Sequence, residues 1–119
     1  MNTVLRRAFE QEIDLGRAFL SNGDLEHAFR HFERAHVLGQ NHVGPHVKSH
    51  WLMLKLELRR GRFADAFGQV IRIVLGALGS AIGIVPTGNT GGTDISMFKR
   101  LPIAAELQSI IDRGNLKEW

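Results

Sequence analysis

The chain has no cysteine and no tyrosine, and only 3 of its 119 residues are proline. Without thiols there is no disulfide framework, no thiolate zinc site and no cysteine nucleophile, so any metal must be held by His, Asp, Glu or Asn. Scarce proline with 44% hydrophobic residues and a mean hydropathy of −0.08 argues against disorder and for a folded globular chain. An excess of one charge is also lacking, since 15 Lys+Arg stand against 12 Asp+Glu. The pI near 10.0 reflects arginine-rich composition. Basic residues are scattered as Arg6-Arg7, Arg30, Arg34, Arg59-Arg60-Arg62 and Lys99-Arg100, without the unbroken patch that neutralises phosphates, so no nucleic-acid partner is expected. The longest run free of both charged residues and proline, Ile73 to Val85, is shorter than the roughly 20 residues a spanning helix needs, so no membrane association is expected. Arg6, Arg7, Glu10, Glu12 and Asp14 interrupt any secretory leader, which makes a cytoplasmic location the default. The length suits one domain covering residues 1–119.

Self-comparison gives the first positive signal. Gly23-Asp24-Leu25-Glu26-His27-Ala28-Phe29 recurs as Gly61-Arg62-Phe63-Ala64-Asp65-Ala66-Phe67, a shared Gly-x-(Leu/Phe)-x-x-Ala-Phe. An apolar stripe at helical spacing precedes each Gly and another follows it. These are Ile13, Phe19 and Leu20, then Phe29, Phe32 and Val37; later Leu52, Leu54 and Leu58, then Phe67, Val70, Ile71 and Val74. The pattern predicts helix, Gly turn, helix, twice over, with helices near 3–21, 24–39, 45–60 and 63–82.

The first unit resembles a tetratricopeptide repeat, through Leu15-Gly16-x-x-Phe19, then Gly23, then Ala28-x-x-x-Phe32-x-x-Ala35. The second keeps Gly61, Ala66 and Val70 but carries Leu54 in place of Gly16. The resemblance implies an all-α fold of two helical hairpins in residues 1–82. Residues 83–100 read as a Gly-rich loop, and Pro102 is expected to open a short capping helix over 101–114, ended by Gly114. Exposed ends of so short an array invite either that cap or a homodimer.

All six histidines fall between His27 and His50. His46 and His50 are four apart on one predicted helix, and Glu33-x-x-His36 on the helix before places a carboxylate and an imidazole on one face. Phe32 and Ala35 turn towards their own hairpin partner, so Glu33 and His36, rotated by about 100°, turn towards the following helix. Antiparallel packing across a short connector then sets His36 near His46 or His50. Glu33, His36, His46 and His50 are the candidate ligands of a divalent zinc, iron, manganese or copper ion. Equally consistent is a set of hydrogen-bonded packing histidines. His27 and His31 suit surface or packing roles, and His42 lies in the connector.

Val85-Pro86-Thr87-Gly88-Asn89-Thr90-Gly91-Gly92 could cradle an anion on freed backbone N–H groups, although it lacks the Lys-Ser/Thr ending of a P-loop. No serine has a nucleophile-elbow context. Phe32-Glu33-Arg34-Ala35-His36-Val37-Leu38-Gly39-Gln40, Pro45-His46-x-x-x-His50-Trp51-x-Met53, Val85-Pro86-x-Gly88-Asn89-Thr90-Gly91-Gly92 and Leu101-Pro102-Ile103 are similar to a family of short bacterial proteins known only as a domain of unknown function. That resemblance adds Arg34, Gln40, Asn89 and Gly91 as candidate ligand-binding residues beside Glu33, His36, His46 and His50. Two functions are carried forward. One is a small helical module binding a protein or peptide; the other is a metal-binding protein or metal-dependent enzyme using the His/Glu cluster.

Overall fold

The computed structural model describes residues 1–83, 88–89, 91–92 and 99–117, with backbone alone after Gly114. Among the described residues five helices follow in order: α1 (Thr3–Ser21), α2 (Leu25–Gly39), α3 (Val43–Arg59), α4 (Phe63–Ile82) and α5 (Ala105–Lys117). The described residues contain no strand. Helices α1 and α2 form one hairpin, α3 and α4 a second, and α2 packs on α3 to join them.

The repeated glycines do the same job twice. Gly23 and Gly61 have φ of 79° and 74°, a region that strains other residues. In the first hairpin the N–H of Asp24 reaches the carbonyl of Phe19 at 2.9 Å and that of Gly23 reaches Leu20 at 3.1 Å. In the second, Arg62 reaches Glu57 at 2.9 Å and Gly61 reaches Leu58 at 3.1 Å. Both are Schellman endings, which satisfy the last carbonyls of α1 and α3 and reverse the chain. Asn2 and Asp24 accept from the N–H groups of Leu5 and His27 to start α1 and α2.

Leu5, Phe9, Ile13, Ala28, Phe32, Ala35, Leu38, Leu52, Met53, Leu56 and Leu107 form the apolar core. Phe32 lies over Gly16, where a Cβ would collide with its ring, so the glycine sets how closely α1 and α2 approach. The degenerate second unit differs here: Leu54 replaces Gly16 and is buried, and Val70, in the place of Phe32, is 43% exposed.

The C-terminal helix lies against α1 and α2. It begins at Ala105, three residues after Pro102, and continues through Gly114 to Lys117, so Gly114 does not end it. The physical reason is contact: the Gly114 carbonyl accepts from the Asn2 amide, and a Cβ at Gly114 would lie 2.9 Å from that amide nitrogen. Arg34 ties three helices together by pairing with Glu12 on α1 at 3.0 Å and with Glu106 on α5.

The other end of the array is left open. Phe67, Val70, Ile71 and Val74, read above as a packing stripe, are exposed, as is Leu58. In a longer array the next hairpin would cover them. By length and composition α4 is apolar enough to cross a membrane, which the run from Ile73, overlapping only the second half of the helix, did not suggest.

Candidate metal centre

His36 near the end of α2 and His46 and His50 on α3 meet at the α2–α3 junction, under α4 and the glycine-rich loop. All three are buried, at 3%, 4% and 3% exposure. Their ring centroids are 4.6 to 5.0 Å apart. One ligand nitrogen from each lies within 4.8 Å of the others.

Each imidazole is oriented by an acceptor behind it. His36 Nδ1 donates to the Asn89 carbonyl at 2.7 Å. His50 Nδ1 donates to Gln69 Oε1 at 2.7 Å, and the Gln69 amide nitrogen donates to the Gly91 carbonyl at 3.0 Å, which fixes which end of the amide faces the ring. His46 Nδ1 donates to Ser80 Oγ, whose own hydrogen goes to the Gln40 carbonyl at 2.7 Å. With the proton on Nδ1 in all three rings, every Nε2 presents a lone pair. His36 Nε2 and His50 Nε2 are nevertheless 3.1 Å apart. Two lone pairs at that distance repel unless a cation lies between them.

A proton suits that place poorly. Burial holds His36 well below the ordinary imidazole value, with the charges of His50 and His46 acting in the same direction. Burial lowers His46 to about 4 and His50 to about 4, the latter partly offset by its bond to Gln69. At neutral pH the three are uncharged donors.

Two glycines make room for the rings. A Cβ at Gly76 would lie 3.0 Å from His46 Cε1, and one at Gly91 would lie 2.5 Å from His36 Cδ2. Gly91 also has a φ of 83°.

The remaining candidates have other places. Glu33 is not brought into the cluster: it faces Arg30 on its own helix at 4.0 Å and lines a cavity of about 180 Å³ with Glu57 and Arg60. It sits one turn before His36 on α2, and because α3 runs antiparallel that turn faces the Glu57 end of α3. Arg34 serves the α1–α2–α5 junction. Gln40 accepts from the Gly88 N–H at 3.0 Å, and Asn89 bridges the loop through the Gly91 N–H at 2.9 Å and the Lys99 carbonyl at 2.7 Å. These polar groups hold the loop over the histidines, and the N–H groups of Gly88 and Gly91 are engaged inside the protein instead of facing an anion. Val85, Pro86, Thr87, Thr90 and Thr93 lie outside the described residues. His27 is exposed beside Asp24 and stacks on Phe19, while His31 pairs with Glu12 at 2.7 Å.

Three residues of the site were missed in the sequence: Gln69, Arg72 and Ser80, all on α4. Arg72 donates to the Gly91 and Gly92 carbonyls and so clamps the loop. The signal was present as a polar and small stripe, Gln69, Arg72, Gly76 and Ser80, running at helical spacing down an otherwise apolar helix. It marks the inward face of α4.

A family model described as "Protein of unknown function (DUF3703)" matches residues 3–111, which hold α1 to α4 and about half of α5. The chain matches no curated protein and no solved structure. It belongs to the DUF3703 family, whose function is unknown.

Proposed function

We propose that this protein binds one transition-metal ion through the Nε2 atoms of His36, His46 and His50. The supporting observation is the 3.1 Å approach of two lone-pair nitrogens, His36 Nε2 and His50 Nε2, in rings whose protons are committed to Asn89 and Gln69. Two nitrogens on one tetrahedral zinc ion are about 3.3 Å apart, given bond lengths of about 2.0 Å. Imidazoles that donate their other N–H to a carbonyl, an amide or a hydroxyl match the outer hydrogen bonding of metal-binding histidines. With Glu33 elsewhere the donor set is all nitrogen, which favours zinc or copper over manganese and over the iron sites that need a carboxylate. A bound ion would supply a Lewis-acidic centre and would join the two hairpins.

The three histidines are buried and form no open surface for a peptide. The test is metal analysis of the untagged, chelator-stripped chain after dialysis against zinc or copper(II), beside a His36→Ala/His46→Ala/His50→Ala chain. One ion per chain, absent from the triple variant, is the expected result. Equal metal in both chains overturns the proposal.

A further inference from the structure

We infer that the outer face of α4 is the contact surface of a two-fold symmetric dimer in which α4 packs antiparallel on α4 of a second copy. The inference stands apart from metal binding, because it uses the face of α4 turned away from the histidines.

Eight large apolar side chains of α4 are exposed: Phe63 (70%), Phe67 (66%), Val70 (43%), Ile71 (42%), Val74 (57%), Leu75 (43%), Leu78 (61%) and Ile82 (71%). From typical side-chain areas these amount to roughly 900 Å², where the largest apolar patch on a monomer is about 300–600 Å² and a stable dimer buries about 800 Å² on each partner. A face of this size needs cover.

The arrangement of the eight says which cover fits. An antiparallel pairing centred between Arg72 and Ile73 sets Phe63 against Ile82, Phe67 against Leu78, Val70 against Leu75 and Ile71 against Val74. Each of the eight then meets another from the same set, as an isologous interface requires. The charge nearest the axis, Arg72, turns inward onto the Gly91 and Gly92 carbonyls and leaves the seam apolar. An unrelated partner would not require this positional symmetry. A membrane span would carry Gln69, Arg72 and Ser80 into lipid and break their bonds to the loop, His50 and Gln40.

The experiment is sedimentation equilibrium on the full-length chain at tens of micromolar, with circular dichroism confirming helix content. Wild type is expected at twice 13.3 kDa. Phe67→Lys and Leu78→Glu chains, each changed at an exposed position, should sediment as monomers. Mixed in equal amounts they should dimerise again, because the pairing brings the lysine of one against the glutamate of the other. A Leu15→Glu chain, altered on the exposed face of α1, should remain dimeric. A monomeric wild type, a dimer unaffected by the α4 changes, failure of the mixture to dimerise, or wild type that pellets with anionic phospholipid vesicles while remaining monomeric without them would each overturn the inference.

Discussion

Alanine in place of His50 is expected to weaken zinc binding by about 100-fold or more, measured by competition with a chromogenic chelator. His50 is the hinge of the site, since its Nε2 faces His36 at 3.1 Å and its Nδ1 is held by Gln69 at 2.7 Å. Removing it leaves two ligands and a gap in a buried place. Gln69→Leu should act more mildly, by about 10- to 100-fold, because the imidazole remains but nothing selects its tautomer or angle. Glu33→Gln should leave affinity within about two-fold, since that carboxylate faces Arg30 and the Glu57 cavity. The ordering separates a ligand set from packing histidines, whose loss would alter stability but not metal affinity. Unchanged binding by the His50→Ala chain would contradict the assignment.

Acid is expected to unfold the metal-free protein between about pH 6.5 and pH 4. The sign follows from where protons bind. An unfolded histidine takes up its proton near 6.5, whereas folded His46 and His50 take theirs only near about 4, so between those values the unfolded chain holds more protons. Stability contributed by the neutral rings is complete above 6.5 and is lost as the pH falls to 4. Each of the two accounts for about 3 kcal/mol over that window, and His36, shifted in the same direction, adds to the loss. Domains of this size hold only about 5–15 kcal/mol, so the loss is a large share of the total stability. Asp24, whose pKa is lowered mainly by its hydrogen bond to His27, weakens the fold only below 3.8 and does not confuse the window. Zinc at 100 times its dissociation constant should add about 2.7 kcal/mol and move the midpoint to lower pH. Helicity followed against pH checks this. A His46→Gln/His50→Gln chain should lose most of the transition, and a wild type equally stable at pH 4.5 and 7 would contradict the account.

Helix order, both turns and the meeting of three histidines were legible in the sequence because each rests on local spacing. Gly23 and Gly61 mark reversals that only glycine makes without strain, and His46 and His50 share a face wherever that segment is helical. Legibility failed where long-range packing decides. Glu33 shares the α2 face of His36, but one helical turn along antiparallel helices separates the histidines from the Glu57 cavity, and spacing alone does not say which turn faces what. Gln69 and Ser80 show in the sequence only as part of a polar and small stripe on an apolar helix; which imidazoles they hold is decided by packing. Arg34, Gln40, Asn89 and Gly91 were singled out by resemblance, and the structure gives them positions that hold the helices and the loop. Phe67, Val70, Ile71 and Val74 carry a core-like period, yet the array ends before anything in the same chain covers them.

The central claim is that three Nε2 atoms converge on one ion. Its most direct test is X-ray absorption at the zinc edge on the untagged chain loaded with one equivalent and dialysed. The account predicts a first shell near 2.0 Å with the multiple-scattering signature of three imidazoles. A shell of oxygens alone, or no retained zinc, would contradict it.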